Sequence, residues 1–309
     1  MKGLCARVAA EVGKVVVGQD NVLEAVLAAF ALGGHVLLEG PPGVAKTLLA
    51  SATARALKLD FRRVQFTPDM LPSDLTGTMT LRGGELSFRP GPVFTNILLA
   101  DEVNRTPPKT QAALLQAMQE GEVSVEGRPE RLPEPFLVVA TQNPIEYEGT
   151  YPLPEAQLDR FLVKVDVGYP SEPDERRMLT LPRRGVAPVG LQDVRAVAGT
   201  EDLRRAREEV DAVSVSDEVA GYVVAVVRQT RELPSLTLGA SPRAAVHLLA
   251  AARAAASLAE RDFVTPDDVV RMALPVLRHR FVLSPEADLE RFDADDAVRA
   301  ALAGVPVPR

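Results

Sequence analysis

Cysteine, tryptophan and histidine are scarce in this chain. Its 309 residues include one cysteine, Cys5, no tryptophan and three scattered histidines, His35, His247 and His279. A single cysteine cannot form an internal disulfide, and the histidines lie too far apart in sequence for the spacing of a zinc site. The sequence therefore predicts neither a disulfide framework nor a zinc site, and we expect structural roles for these residues.

Long apolar runs are also missing. The longest candidate, residues 22–38, is interrupted by Glu24, two glycines and His35. It is not the unbroken stretch of about 20 apolar residues that crosses a bilayer. The amino-terminal MKGLCARVAAEVGK carries charges through its apolar part and lacks the small-residue cleavage signature of a secretory signal. We expect no membrane span and a cytoplasmic protein.

The chain has no excess of basic residues. Its 35 lysines and arginines stand against 42 aspartates and glutamates, which gives a formal charge of −7. Such a chain offers few positive charges to neutralise phosphates. General binding to nucleic acid is therefore not expected.

Five short apolar runs in the first half predict the strands of one sheet. They are HVLLE, FRRVQF, NILLAD, FLVVATQ and FLVKVDV, at residues 35–39, 61–66, 96–101, 136–142 and 161–167. Helix-compatible segments such as 47–57 and 110–119 lie between them, and this alternation is typical of a parallel sheet covered on both faces. Residues 1–170 are therefore predicted to form an α/β domain with a five-stranded parallel sheet.

The second half is predicted to be a smaller, all-helical domain over residues 171–309. It is rich in Ala, Arg and Val with helical spacing, and no run in it indicates a strand. Ser216, Ser241 and Thr265 each precede proline or acidic residues, a pattern typical of helix starts.

Two inserts interrupt the α/β pattern of the first domain. Residues 67–92 are rich in Pro, Gly and Asp. Residues 121–134 alternate apolar and polar side chains around a predicted Gly-Arg-Pro turn, a pattern typical of a β-hairpin.

A phosphate-binding loop is predicted directly after the first strand, where GPPGVAKT occupies residues 40–47 and a helix-favouring segment follows. Its glycines let backbone N–H groups curl around a phosphate, and the helix N-terminus adds a positive dipole end. Lys46 would reach the β and γ phosphates of ATP, and Thr47 would bind Mg²⁺. One residue departs from the general pattern, because Ala45 stands where glycine is expected. The predicted nucleotide-binding residues are Gly40, Pro41, Pro42, Gly43, Val44, Ala45, Lys46, Thr47 and Leu48.

Two carboxylates follow the third predicted strand. In ILLADE, residues 97–102, Asp101 and Glu102 would lie at the edge of the sheet where ligands bind in open α/β folds. After a phosphate-binding loop, this pair predicts that Asp101 binds Mg²⁺ and that Glu102 polarises the attacking water. The alternative is an ordinary solvated strand end.

Asn143 follows the fourth predicted strand. An uncharged amide there can hydrogen-bond both the γ-phosphate and the attacking water without competing for the metal. We interpret Asn143 as a candidate sensor of the γ-phosphate. The alternative is a turn-forming asparagine before Pro144.

Four segments together resemble AAA+ ATPases of the MoxR family. They are GPPGVAKT, ILLADEVNRTPPKTQAALLQAMQEGEVSVEG, VVATQNPIEYEGTYPLPEAQLDRF and LGASPRA, and the resemblance spans roughly residues 10–285. It implies a P-loop core with a five-stranded sheet, a small helical lid and a ring of identical subunits, usually six, with ATP bound between neighbours. Mg²⁺ would be the metal.

The resemblance also implies roles for two arginines and for the segment before the first long helix. Arg160 would be the arginine finger that reaches a neighbour's γ-phosphate, with Arg105 as second candidate; an ion pair of Arg160 within its own chain is the alternative. Arg243 is similar to the sensor 2 arginine, acting in cis or in trans. Val17 and Gly18 would contact adenine. The two inserts are similar to elements that line or surround the ring's pore.

Three functions remain open from the sequence. The family resemblance favours an ATPase that remodels, matures or activates a client protein, such as one with a von Willebrand A domain. A nucleic-acid motor is the first alternative, which the acidic charge disfavours. A nucleotide-gated scaffold with little turnover is the second.

Overall fold

The fold is described from a computed structural model for residues 1–82, 85–143, 151–181, 183–184, 187–188 and 190–308. Its first part contains α1 (Lys2–Val12), α2 (Asp20–Ala31), β1 (His35–Glu39), α3 (Lys46–Ala56), β2 (Phe61–Gln65), α4 (Pro72–Thr76), β3 (Gly77–Arg82), β4 (Glu85–Pro90), β5 (Ile97–Asp101), α5 (Pro108–Glu120), β6 (Glu122–Val125), β7 (Arg128–Arg131), β8 (Leu137–Gln142), α6 (Glu155–Leu158) and β9 (Phe161–Asp166).

A carboxyl-terminal helical part follows. It contains α7 (Glu172–Thr180), β10 (Arg183–Arg184), β11 (Ala187–Pro188), α8 (Thr200–Asp211), α9 (Asp217–Thr230), β12 (Leu236–Leu238), α10 (Pro242–Leu258), α11 (Pro266–Leu277), β13 (Val282–Leu283), α12 (Pro285–Leu289) and α13 (Ala294–Ala303). No helix among the described residues is long and apolar enough to cross a membrane.

The central sheet has five parallel strands in the order β2-β5-β8-β1-β9. These are the five runs predicted from the sequence, so the fold class is confirmed. Because all five strands are parallel, their carboxyl ends meet at one edge of the sheet, here named the P-loop edge. The starts of the strands form the opposite edge, here named the N-terminal edge.

Apolar side chains cover both faces of the sheet, as expected for a parallel sheet. Along each strand they alternate between two buried clusters. Val36, Leu38 and Leu99 pack against α2, α3 and the helical part, whereas Leu37 and Leu98 pack against α5 and the two inserts. The first cluster continues into the helical part through residues such as Leu203, Leu248 and Val276. The first cluster is therefore a core shared by both parts of the chain.

The helix starts predicted after residue 171 are confirmed. Ser216 and Ser241 accept hydrogen bonds from the backbone N–H groups of Val219 and Ala244. Thr265 forms a capping box in which its own N–H donates to Asp268 at 2.8 Å.

The expectation that the helical part has no strands is wrong in detail. Within the described residues, β10 pairs with β11 and β12 pairs with β13, each in an antiparallel ladder. Strands of two or three residues are too short for an alternating pattern to reveal them.

Each insert contains a β-hairpin. Residues 67–92 contain α4 and the hairpin β3–β4, and residues 121–134 contain the predicted hairpin β6–β7. The turn of the second hairpin lies at Glu126 and Gly127, which both have positive φ angles, 49° and 80°. The Arg128 and Pro129 of the Gly-Arg-Pro sequence therefore belong to β7 rather than to the turn.

The buried histidines make stability depend on pH. His35 lies at the start of β1, where Nδ1 accepts from the Val138 N–H at 3.1 Å and Nε2 lies 3.0 Å from the Met118 carbonyl. Complete burial lowers the pKa of His35 to about 4. Burial also lowers the pKa of His247 to about 4 and that of His279 well below its ordinary value. All three rings are neutral in the folded protein near neutral pH.

We predict that acidification from pH 7 to pH 5 lowers the free energy of unfolding, and that His35→Gln weakens this dependence. Between the folded pKa of about 4 and the ordinary value of 6.5, the unfolded chain binds a proton that folded His35 excludes. The stability contribution is therefore complete above pH 6.5 and lost towards pH 4, by roughly 3 kcal/mol in all. Urea unfolding of both proteins at each pH measures the effect; equal pH slopes would contradict it.

Candidate nucleotide-binding site

The loop between β1 and α3 has the geometry of a phosphate cradle. A Cβ atom at Gly40 would lie 2.2 Å from the Val167 carbonyl oxygen, so the end of β9 leaves room only for glycine there. Gly43 has φ of +89°, a conformation that other residues rarely adopt. Helix α3 then begins at Lys46 with no side-chain cap. Its first-turn N–H groups are therefore available to a bound anion.

Ala45 adopts the left-handed conformation that explains why glycine is expected at this position. Its φ and ψ angles are 65° and 21°. An L-residue pays roughly 1–2 kcal/mol to adopt this conformation. The methyl group is accommodated, and the departure from the general pattern costs conformational energy rather than space.

Lys46 lies where the loop meets the end of β8. Its ammonium donates to the Gly40 carbonyl and lies 3.5 Å from the Gln142 carbonyl. Partial burial lowers its pKa, while the nearby Asp101 and Glu102 act in the opposite direction. The lysine is thus a cation held by backbone oxygens next to two carboxylates.

Asp101 ends β5 at the P-loop edge and is buried, with both carboxylate oxygens bound. Oδ1 accepts from the Thr141 hydroxyl at 2.6 Å. Oδ2 accepts from the Arg63 guanidinium, from Nε at 2.9 Å and from Nη2 at 2.6 Å. Arg63 reaches it because β2 and β5 are neighbours in register, with Gln65 opposite Asp101.

Glu102 follows Asp101 in a left-handed conformation, with φ of 57°. Its N–H donates to Thr141 Oγ1 at 2.9 Å. Its carboxylate accepts from Gln65 Nε2 at 2.8 Å and pairs with Arg105 Nε at 3.0 Å. The carboxylate is therefore held between β2 and the turn that follows β5.

The other residues predicted around the nucleotide also lie near the P-loop edge. Asn143 directly follows β8 and is half-buried, whereas Pro144 lies outside the described residues. Val17 is buried, and Gly18 has φ of +74°. The next residue, Gln19, donates to the Gly168 carbonyl at 3.1 Å, which ties this segment to the chain leaving β9.

Arg160 and Arg243 lie at the opposite, N-terminal edge. Arg160 immediately precedes β9 and donates to the Leu115 carbonyl at 2.6 Å. Both arginines line a cavity of about 430 Å³ that also contacts His35 at the start of β1. Strand β1 separates the two edges, and the four steps from its first residue to its last span about 13 Å at roughly 3.3 Å per step. Neither arginine adjoins the loop of its own chain.

Sequence reasoning missed Arg63, Gln65 and Thr141, although they bind the two carboxylates directly. One signal was present in FRRVQF, where Arg63 and Gln65 are two residues apart and therefore lie on the same face of the strand. What they contact follows from the strand order, which places β2 beside β5.

The comparisons agree with the architecture. Residues 35–163 match the ATPase family associated with various cellular activities (AAA), and residues 228–301 match the AAA lid domain. The chain is 46% identical to Chaperone MoxR1 of Mycobacterium tuberculosis, covering 97% of this chain and 81% of that protein. It is 35% identical to Protein MoxR of Methylorubrum extorquens, covering 98% of this chain and 95% of that protein. The crystal structure of a candidate ATPase from Cytophaga hutchinsonii superposes with a TM-score of 0.90 at 40% identity. The match covers 100% of this chain and 96% of that protein.

We predict that Ala45→Gly leaves stability unchanged or raises it by up to about 1 kcal/mol. Glycine removes the cost of the left-handed conformation but loses more chain entropy on folding. The matched control is Ala54→Gly in the interior of the same helix, which should cost about 1 kcal/mol or more. Urea unfolding compares the variants. Equal destabilisation by both glycines would show that Ala45 is not left-handed in solution.

Proposed function

Because the chain belongs to the MoxR family of AAA+ ATPases, we propose that it binds and hydrolyses ATP between neighbouring copies of itself and uses that cycle to remodel, mature or activate a partner protein. The observation that carries the proposal is the division of the expected catalytic groups between opposite edges of one sheet. Residues 1–170 would be the nucleotide-binding core and residues 171–309 the lid.

The nucleotide is proposed to bind at the P-loop edge. The backbone from Gly40 to Leu48 would surround the phosphates, with Lys46 as the phosphate cation, and Val17 and Gly18 would contact adenine. The steric fit of Gly40 against Val167 and the uncapped start of α3 support this assignment.

Thr47 and Asp101 have the oxygen ligands that suit Mg²⁺. The ion would neutralise charge on the phosphate oxygens. Asp101 is already placed by Thr141, and Arg63 occupies its other oxygen. Mg²⁺ at Asp101 would therefore share the carboxylate with Arg63 or displace its contact.

Glu102 is the proposed base that orients and polarises the attacking water, and Asn143 the group that hydrogen-bonds the γ-phosphate and that water. Glu102 is bound to Gln65 and Arg105 in this structure. Both contacts are made by Oε2, so water would bind at the other carboxylate oxygen or replace one of these partners. The same contact places Arg105 beside its own chain's Glu102, which favours Arg160 over Arg105 as the arginine supplied to a neighbour.

The position of Arg160 and Arg243 supports a two-subunit site. Both lie at the edge opposite to their own phosphate loop, so a phosphate contact with either requires another subunit. A head-to-tail arrangement brings the N-terminal edge of one subunit to the P-loop edge of the next, and it forms a ring when the rotation between subunits closes. We propose a homo-oligomeric ring, hexameric as in the family, in which Arg160 and Arg243 both act in trans.

The client is proposed to be a protein, with a von Willebrand A domain protein as one candidate. The hairpin β3–β4 exposes Leu81 and Leu86, which pair across its strands with 70% and 66% of their surface accessible. Exposed leucines at a hairpin end suit contact with another protein. The printed name of the M. tuberculosis relative, Chaperone MoxR1, agrees with such a role.

We predict that Lys46→Ala and Glu102→Gln have different defects. Lys46→Ala should weaken ATP binding at least about tenfold, because it removes a charge-assisted contact to phosphate. Glu102→Gln should bind ATP normally but hydrolyse it at least about a hundredfold more slowly, the scale of losing a general base. Nucleotide titration and phosphate release measure the two properties.

The same variants test the client role. With ATP, Glu102→Gln should retain client protein that the wild type releases, and Lys46→Ala under the same conditions is the control that should not. Wild-type hydrolysis by Glu102→Gln would contradict the role of this residue. Retention by both variants alike would show that client binding does not depend on ATP.

Arg160→Ala should bind ATP yet barely hydrolyse it, and its activity should return on mixing with Lys46→Ala. Each protein alone lacks one half of the site, but mixed rings contain interfaces where an intact loop meets an intact arginine. Because such an arginine contributes about 10³–10⁵ in rate, even a minority of repaired interfaces is detectable by phosphate release. A fluorescence assay of subunit exchange is the control. Without recovery in demonstrably mixed rings, Arg160 does not act in trans.

A further inference from the structure

We infer that Asp159 is a positioning residue that, with Arg280, joins the core to the lid so that Arg160 and Arg243 approach a neighbour's nucleotide as one unit. The inference rests on the proposed two-subunit site. Asp159 would not touch the nucleotide itself; it would act through the two arginines.

Asp159 binds three side chains from the lid. Its carboxylate accepts from the Ser241 hydroxyl, at 3.1 Å to Oδ1 and 3.0 Å to Oδ2. It accepts from Arg280 Nη1 at 2.7 Å and lies 3.6 Å from Arg243 Nη1. Asp159 itself belongs to the short segment between α6 and β9, so one carboxylate joins that segment to the start of α10 and to the chain after α11.

Arg280 holds the chain on both sides of Arg160. Its side chain is 1% exposed. Besides Asp159, it binds the carbonyl oxygen of Phe161 through Nη2 at 2.6 Å, and the same nitrogen lies 2.6 Å from His247 Nδ1. The residues immediately before and after Arg160 are therefore both attached to one buried lid side chain.

Arg280 is charged in this cluster, whereas His247 is neutral. Burial lowers the pKa of Arg280 to about 10, and the ion pair with Asp159 opposes that effect, so the guanidinium stays charged at neutral pH. Burial lowers the pKa of His247 to about 4, which leaves its ring neutral beside the cation. A buried ion pair adds little net stability, but removal of one partner strongly destabilises the protein because the other charge stays buried and unpaired. Fixing the geometry between core and lid is therefore a better account of the pair than stabilisation alone.

This cluster determines how the two arginines are placed relative to each other. Arg160 is attached to the core through the Leu115 carbonyl, whereas Arg243 lies in the first turn of α10, which Ser241 caps. Asp159 contacts Ser241 and Arg243 and precedes Arg160 in the chain. A change in lid angle is then transmitted to Arg160, which faces the next subunit.

Complementation between mixed rings tests the inference, because it separates residues that serve a neighbour from those that serve their own chain. Asp159→Asn should bind ATP like the wild type and hydrolyse it about a hundredfold more slowly, the scale of misplacing a reacting group by about 1 Å. Mixing it with Lys46→Ala should restore hydrolysis, whereas mixing it with Arg160→Ala should not. In the second mixture no subunit offers a correctly placed arginine to its neighbour.

Two further variants sharpen the test. Glu24→Gln breaks a different core–lid ion pair, with Arg271, and should keep wild-type hydrolysis. Arg280→Lys keeps the charge but loses the planar fork in which Nη1 binds Asp159 and Nη2 binds the Phe161 carbonyl. It should show the same complementation as Asp159→Asn, and it replaces that variant if Asp159→Asn does not assemble.

Three outcomes would overturn the inference. One is wild-type hydrolysis by Asp159→Asn. Another is recovery of Asp159→Asn with Arg160→Ala, which would place its defect in its own nucleotide site. The third is an assembled Asp159→Asn ring that recovers with neither partner although Arg160→Ala recovers with Lys46→Ala; that result leaves the two-subunit site standing. If Arg160→Ala also fails to recover, both proposals fall.

Discussion

The parallel register of the central sheet is the constraint on which the rest of this structure depends. Pairing of β1 with β8 and β9, and of β5 with β2 and β8, places every strand end at one edge and every strand start at the other. The phosphate loop and Asn143 follow strands and Asp101 ends one, whereas Arg160 precedes a strand. Their separation is therefore a property of the topology. Small rearrangements of side chains cannot remove it within one subunit.

Much of this arrangement could be predicted from the sequence because the signals are local. A buried strand shows as an apolar run, a phosphate loop as glycines before a lysine, and a helix start as a hydroxyl before acidic residues. The five strands and the starts at Ser216, Ser241 and Thr265 are all of this kind. The two carboxylates after β5 could be assigned to the P-loop edge for the same reason.

Contacts between distant segments could not be predicted in this way. Arg63 reaches Asp101 only because β2 lies beside β5, and one sequence does not give the order of strands. Asp159 binds Ser241 and Arg280 across 82 and 121 residues of chain. The left-handed conformations of Ala45 and Glu102 are imposed by the surrounding fold, since neither residue type favours them. The strands of the lid have only two or three residues, too few for an alternating apolar and polar pattern to predict them.

The ion pair between Arg63 and Asp101 has a consequence for the charge balance of the sheet edge. A buried carboxylate is costly unless a cation accompanies it. The guanidinium of Arg63 supplies that cation from the protein itself. At the proposed metal site, Mg²⁺ would join or replace the guanidinium as a partner of Asp101. The affinity of the subunit for the metal would then depend on how strongly the arginine of β2 holds the Asp101 carboxylate.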